Sequence, residues 1–261
     1  MKHVYAIYFS PAQSTKLLAQ HITLNIGYLT VPTTHINITY SKDREKLYEF
    51  GQDDLVIFAF PTYGGRAPNV MPSIFDNVRG KKTPLVLVAS YGDIDYDDSL
   101  LEACKRLTEN GFVCAAALSV PTQHTIAPKV GAGRPSTSDF DKLKEYSLVI
   151  RQKLDMADFY GEDLILPGSY PHKDYVGGPK IAPETSDECI KCMLCYQWCP
   201  VDAIPHYHPK DTDPNKCIKC QGCVIRCPVK ARAFKHPGFL EKAKQTEEKN
   251  FNNNHEIQLF L

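Results

Sequence analysis

Eight of the ten cysteines lie between positions 189 and 227, where they form two copies of one pattern. In each copy, three cysteines separated by two residues are followed by three residues, a fourth cysteine and a proline, and the second copy lies 28 residues after the first. Two-residue gaps let a tight turn direct successive thiolates at one centre, and the proline favours an extended fourth cysteine. Because cytosolic thiols stay reduced, this density of cysteines predicts metal ligation rather than disulfides.

Structural zinc is the main alternative to iron–sulfur ligation. Zinc needs four ligands per ion and typically uses paired C-x2-C units, so the third cysteine of each run would have no role. Residues 187–234 instead resemble a bacterial two-cluster ferredoxin, whose C-x2-C-x2-C-x3-C-P runs bind 4Fe–4S clusters and whose fourth cysteine ligates the other cluster. The resemblance implies Cys189, Cys192, Cys195 and Cys227 for cluster one, and Cys217, Cys220, Cys223 and Cys199 for cluster two.

A second set of candidate binding residues lies in three loops of the N-terminal part. The first loop opens a helix pattern, and hydroxyls and amides at a helix N-terminus form a phosphate site. The other two offer aromatic residues and glycines, which suit a flat ring. The chain lacks G-x-x-x-x-G-K-[ST] and G-x-G-x-x-G, which argues against ATP and NAD in their commonest sites. The residues are Ser10, Gln13, Ser14, Thr15 and Lys16, then Pro61, Thr62, Tyr63, Gly64 and Gly65, then Ser90, Tyr91, Gly92, Asp93 and Tyr96.

The elements that must position these loops alternate along the first 160 residues. Continuous apolar runs predict strands covered on both faces, at 3–9, 34–39, 54–60, 84–90 and 112–120. Helix patterns separate them, at 18–26, 70–78, 100–107 and 140–154, with at best a short helix in 42–50. Asp97 and Asp98 are interpreted as helix caps. The alternation predicts an α/β fold with a doubly wound, five-stranded parallel sheet, which binds ligands beyond the carboxyl ends of its strands.

With this order of elements, the three loops resemble the phosphate loop and the two ring-binding loops of flavodoxins, over about residues 3–160. The resemblance implies FMN, with the first loop near its phosphate and the other two near its ring. Pro11 and Lys16 depart from the usual flavodoxin T-x-T-G-x-T loop. Over nearly the whole chain, the order of the two parts resembles flavodoxin–ferredoxin fusion proteins of anaerobic microbes.

The expected layout has four segments. A flavodoxin-like domain over 1–160 is followed by a linker rich in proline and glycine over 161–186, which we expect to lie on the first domain. A small α+β ferredoxin domain with two 4Fe–4S clusters follows over 187–236. The charged, Asn-rich tail over 237–261 is expected to form a frayed helix or to be disordered, with an apolar end that can dock.

The charge balance excludes some classes of function. Lys and Arg number 30, as do Asp and Glu, so the chain has no basic field for nucleic acid and no polybasic membrane anchor. It has no apolar run of the roughly 18 residues that span a bilayer and no recognisable signal peptide, which predicts a cytoplasmic protein.

The main hypothesis is an electron-transfer protein that passes single electrons between the clusters and FMN and on to redox partner proteins, with no catalytic residues assigned. The alternatives are a flavin oxidoreductase with a small substrate, and a redox- or oxygen-sensing protein without flavin.

Overall fold

The computed structural model describes residues 1–27, 30–156, 160, 164–175 and 178–261. The strands are β1 (His3–Tyr8), β2 (Thr33–Asn37), β3 (Tyr48–Phe50), β4 (Asp54–Pro61), β5 (Val78–Gly80), β6 (Thr83–Tyr91), β7 (Phe112–Pro121), β8 (Glu184–Thr185), β9 (Arg232–Ala233) and β10 (Gln258–Phe260). The helices are α1 (Ser14–Ile26), α2 (Ser41–Arg44), α3 (Ser99–Glu109), α4 (Thr137–Asp155), α5 (Leu194–Gln197), α6 (Gly222–Ile225) and α7 (Pro237–Asn250). Among these described helices, none is long and apolar enough to cross a membrane.

The central sheet has the order β10-β7-β6-β4-β1-β2. Its five parallel strands β1, β2, β4, β6 and β7 match the runs predicted from the sequence, and their order along the sheet is 2-1-3-4-5, the flavodoxin-like doubly wound order. The predicted α/β class with a parallel sheet is therefore confirmed. The predicted number of strands is wrong, because β10 from the tail adds a sixth strand, antiparallel to β7, with Leu259 opposite Leu118.

The sheet is covered on both faces, as continuous apolar strands require. Every residue of β6 is buried. One core contains residues of α1 and α4 and half of the strand side chains, and a second core contains residues of α3 and the other half. A capping box at Ser136 begins α4, since its side chain and that of Asp139 bond each other's backbone N–H.

The helix predicted over 70–78 does not form. Pro72 lies in the middle of that pattern, and an interior proline removes a helical hydrogen bond and clashes with the preceding turn. The segment runs as turns into β5, while Val70, Ile74 and Phe75 still reach the core. Within 42–50 the chain forms the short α2 and then β3, which pairs in parallel with β5.

The tail differs from the expectation of a frayed or disordered segment. It forms α7 and then β10, and the intervening residues bond to the loop after β6. Asn253 Nδ2 donates to the carbonyl of Asp93 at 2.8 Å, and the backbone N–H of His255 donates to the Asp93 carboxylate at 3.1 Å. The apolar end does dock, because its strand closes the β7 edge of the sheet.

The described part of the predicted linker lies on the N-terminal end of α3. The backbone N–H groups of Ser169 and Lys173 donate to the Asp98 carboxylate at 2.8 and 2.7 Å. Asp98 stands at the N-cap position of α3, but its side chain makes no capping hydrogen bond, which corrects the interpretation of this carboxylate as a cap. Gly161 and Gly177 of the predicted linker lie outside the described residues.

Candidate functional site

The two cysteine runs adopt the same backbone path within residues 187–236, here called the cysteine module. Lys191 and Lys219 have φ of 53° and 57°, and Met193 and Gln221 have φ of 61° and 63°. Both members of each pair are 28 residues apart, as are the short helices α5 and α6 that follow. These left-handed residues alternate with the cysteines and turn the chain back at each step. The sequence repeat is therefore also a structural repeat.

One cavity of the module is lined by the four cysteines assigned above to cluster two, Cys199, Cys217, Cys220 and Cys223. The cysteines at the ends of the two runs have matching surroundings. The backbone N–H of Ala203 donates to Cys199 Sγ at 3.2 Å, and that of Ala231 donates to Cys227 Sγ at 3.2 Å. The ten cysteines, which all lie among the described residues, form no disulfide bond. Because an iron–sulfur cluster takes four thiolates, the donor set of this cavity fits one.

Arg232 is a buried cation beside these thiols. Burial raises the pKa of the Cys217, Cys220 and Cys223 thiols, whereas the charge of Arg232 acts to lower the pKa of Cys223. Arg232 Nη1 donates to the Pro209 carbonyl at 2.7 Å, and its Nε has no hydrogen-bond partner among the described residues. A buried positive charge at this place would offset the negative charge of thiolates in the cavity.

A single metal ion has no ready site in the described ranges, which contain no group of three or more histidine, cysteine or carboxylate side chains suited to hold one. A 4Fe–4S cluster makes a different demand, because each thiolate binds its own iron. The sulfurs of such a site therefore stand farther apart than the ligands of one ion.

The predicted phosphate loop lies at the N-terminus of α1. Ser10 is buried, and its Oγ accepts from the backbone N–H of Lys16 at 2.9 Å. The hydroxyls of Thr15 and Ser90 lie 2.7 Å apart, so the first turn of α1 contacts the carboxyl end of β6. Gln13 has a φ of 76° as it leads into the helix, and the first turn of α1 contains no acidic residue. A helix N-terminus of this kind attracts an anion.

The loop after β4 forms a tight turn. Gly64 and Gly65 have φ of 59° and 81°, and the backbone N–H of Tyr63 donates to the Arg66 carbonyl at 2.9 Å across them. A side chain at Gly65 would collide with Asp97, so glycine is required there for space as well as for backbone conformation. Thr62 and Pro61 continue β4 beside Ser90, whose carbonyl accepts from the Thr62 N–H at 2.7 Å.

The loop after β6 lines a cavity to which the predicted residues of the loop after β4 do not contribute. The rings of Tyr91 and Tyr96 contact each other at 5.3 Å and line an open cavity of about 460 Å³, together with Gln258 of the tail. Tyr96 Oη donates to Gln258 Oε1 at 2.5 Å. Tyr63 does not line this cavity, so the structure separates it from the other two predicted ring-binding tyrosines.

Gly92 and Asp93 are engaged in packing the loop after β6. A side chain at Gly92 would meet the ring of His124 from the loop after β7. Asp93 is fully buried, and its carboxylate lies 3.4 Å from Arg134 Nη1 and 3.0 Å from His255 Nδ1. The interactions shown for Asp93 are therefore structural ones that hold the tail.

The cysteine module docks on the phosphate loop and on the loop after β4. A Cβ atom at Gly222 would stand 2.9 Å from the carbonyl oxygen of Pro11. Burial raises the pKa of Tyr63 well above its usual value, and the charge of Cys220 acts in the same direction. Arg44 Nη2 donates to the Pro200 carbonyl at 2.7 Å. The two candidate sites are therefore adjacent.

Sequence reasoning missed four residues that shape these sites. Gly222 and Arg44 join the module to the sheet, Arg232 lies beside the thiols, and Gln258 lines the cavity by Tyr96. Only Gly222 has a signal in the sequence, because the first copy of the repeat carries Leu194 at the same place.

Comparison with known proteins gives structural likenesses only, since no family model and no curated protein matches the chain. A flavodoxin from the domain Archaea is 15% identical with a TM-score of 0.38, over 59% of this chain and 99% of that one. Oxidised flavodoxin 1 from Bacillus cereus is 17% identical with a TM-score of 0.42, over 57% and 97%. The Flv1 flavodiiron core from Synechocystis sp. PCC6803 is 20% identical with a TM-score of 0.39, over 60% and 36%. The strand order of the sheet, rather than these weak likenesses, identifies the fold as flavodoxin-like.

Proposed function

We propose that the chain is an electron-transfer protein that passes single electrons between two 4Fe–4S clusters and FMN, and on to redox partner proteins. Its parts are a flavodoxin-like domain over 1–160 and a two-cluster ferredoxin domain over 187–236, in a cytoplasmic location that keeps thiols reduced. One observation supports this most. The module that contains the cavity lined by four cysteines contacts Pro11 through Gly222, just before the helix N-terminus suited to a phosphate.

For the clusters, the first three cysteines of each run would bind one cluster, and the cysteine at its Cys-Pro end would bind the other cluster. Cys189, Cys192, Cys195 and Cys227 would hold one cluster, and Cys217, Cys220, Cys223 and Cys199 the other. A bound 4Fe–4S cluster would supply one-electron redox chemistry. The backbone N–H groups of Ala203 and Ala231 and the charge of Arg232 stabilise negative charge on the sulfurs. Such hydrogen bonds and cations favour the more negative, reduced form and raise the reduction potential.

For FMN, the first turn of α1 supplies backbone N–H groups and hydroxyls, and Lys16 adds a positive charge. Ser10, Gln13, Ser14 and Thr15 are the remaining proposed phosphate residues. The loops after β4 and β6 would supply the walls of the ring, with Pro61, Thr62, Tyr63, Gly64 and Gly65 from one and Ser90, Tyr91, Gly92, Asp93 and Tyr96 from the other. Both loops also contact other parts of the chain, since Arg66 after β4 donates to the Lys173 carbonyl and Tyr96 after β6 donates to Gln258.

Stopped-flow reduction tests this function. Clusters reduced anaerobically by a low-potential donor should reduce the flavin at a rate independent of protein concentration, because the transfer is intramolecular. A flavin that stays oxidised, or a rate that rises with protein concentration, would contradict the proposal.

The open cavity by Tyr91 and Tyr96 favours a second candidate function, a flavin oxidoreductase that reduces a small substrate. Its volume of about 460 Å³ is in the range of small-molecule sites. Turnover of an added small acceptor at about 1–1,000 per second would support this candidate over the carrier. A brown protein with no flavin peaks would instead support the sensing alternative.

A further inference from the structure

The cysteine module has two halves, one around each cysteine run, and they differ in the residue that begins their short helix. Leu194 begins α5 in the first half, and Gly222 begins α6 at the equivalent place in the second. The φ of Gly222 lies outside the left-handed region, so the backbone does not require glycine. A Cβ atom there would stand 2.9 Å from the carbonyl oxygen of Pro11, closer than such atoms normally come. The glycine therefore serves the close approach of the second half to the phosphate loop.

Other contacts place the second half, together with the Cys-Pro end of the first run, against the sheet domain. Ile218, between the first two cysteines of the second run, packs against the core that contains α3 residues. Pro200 follows Cys199, which lines the same cavity as the second run, and accepts a hydrogen bond from Arg44 at 2.7 Å.

The first half is turned toward solvent. Ile190 is 62% exposed and Cys192 is exposed, whereas their counterparts Ile218 and Cys220 are partly covered. Helix α5 contains no buried residue, whereas Gly222 of α6 is buried. The docking is therefore one-sided, although the two halves share one backbone path.

We propose that the cluster held by Cys199, Cys217, Cys220 and Cys223 is the one next to the FMN phosphate, and that Gly222 is the positioning residue that permits this approach. The inference rests on the proposed function, since both groups must bind. It goes further by assigning the two clusters different positions. The second lies at the flavin site, and the first lies at the solvent side.

Phosphorus NMR of bound FMN tests this placement in the full-length holoprotein reduced anaerobically with dithionite. A reduced 4Fe–4S cluster is paramagnetic and broadens the resonance of a nearby phosphorus nucleus. Cys220→Ala removes a ligand of the second cluster, and Cys192→Ala removes the equivalent ligand of the first. We expect the broadening to be lost in Cys220→Ala and kept in Cys192→Ala. The reverse result, or equal broadening in both, would overturn the placement.

A second pair of variants leaves all eight ligands in place, which covers the case in which a cysteine variant fails to fold. Gly222→Leu gives the second half the residue of the first, and Leu194→Ala is the control on the exposed half. We expect Gly222→Leu to lose most of the broadening and Leu194→Ala to keep it, and equal broadening in the two would refute the role of Gly222. If the oxidised wild-type protein, whose clusters are diamagnetic, shows no resonance of bound FMN, the proposed function fails, and the placement fails with it.

Discussion

Arg44 joins three segments that are distant in sequence, so its replacement tests how the module is held. Its guanidinium is fully buried and donates five hydrogen bonds, to the carbonyls of Ile38 and Thr39 before α2, of the 71–72 segment and of Pro200. Burial lowers the pKa of Arg44 to about 10, which shows that desolvation opposes its charge. The net effect of Arg44→Met on the free energy of unfolding is therefore a balance between the lost hydrogen bonds and the relieved desolvation of the guanidinium.

The hydrogen bonds are expected to outweigh the desolvation. Three of them are buried, to the carbonyls of Ile38, Thr39 and Pro200. An unsatisfied buried acceptor costs about 1–3 kcal/mol, so the three give about 3–9 kcal/mol. After relief of the guanidinium desolvation, we expect Arg44→Met to lower the free energy of unfolding by about 3–5 kcal/mol. At about 2–4 °C per kcal/mol, the melting temperature should fall by about 6–20 °C.

The assay is thermal unfolding of the full chain, followed by far-UV circular dichroism and by the fluorescence of Trp198, the one tryptophan. Arg79→Met is the matched control, because Arg79 is exposed and its side chain donates to the carbonyl of the preceding residue, Val78. The control should change the free energy of unfolding by less than about 0.5 kcal/mol. An Arg44→Met variant as stable as the control would refute the reasoning, because desolvation would then dominate.

Three further predictions concern the ligands, the phosphate and acid stability. If ligation is crossed, Cys227→Ala combined with Cys192→Ala should retain about four iron atoms per chain by iron analysis, whereas Cys227→Ala with Cys220→Ala should retain almost none; equal iron in the two double variants would exclude crossing. Riboflavin should bind about 100-fold more weakly than FMN in a fluorescence titration, through loss of about 3 kcal/mol of charge-assisted hydrogen bonds, and equal affinities would remove the phosphate loop from the site. Burial acts to raise the pKa of Glu102, but hydrogen bonds from Arg66, Ala67 N–H and Tyr175 outweigh it and lower the pKa below 4.5. The stability from Glu102 is therefore present above pH 4.5 and lost as pH falls through its depressed pKa, so urea unfolding of Glu102→Gln should show a smaller loss on acidification, and an unchanged slope would contradict this.

Local patterns in the sequence predicted the parts of the fold that depend on local chemistry. The five parallel strands were predictable because burial on both faces demands continuous apolar runs. The false helix over 70–78 arose because Val70, Ile74 and Phe75 have helical spacing and reach the core, although Pro72 interrupts the helical hydrogen bonds. Spacing therefore predicted burial correctly and secondary structure wrongly.

Long-range contacts were not predictable from these patterns. The pairing of β10 with β7 joins three residues of the tail to a strand far away in sequence, and nothing local specifies that partner. The approach of the two candidate sites depends on Gly222, whose meaning appears only against Leu194 in the repeat and Pro11 in space. Likewise, the cavity that Tyr91 and Tyr96 line, and Tyr63 does not, includes Gln258 of the docked tail.

The central claim is that this chain carries two 4Fe–4S clusters and FMN, and direct analysis of the anaerobically purified protein tests it. Metal analysis, acid-labile sulfide and extracted flavin would be measured on the same sample. We predict about eight iron atoms, about eight sulfides and about one FMN per chain. Zinc in place of iron, about four iron atoms or fewer, or a chain that neither contains nor takes up FMN would contradict the account.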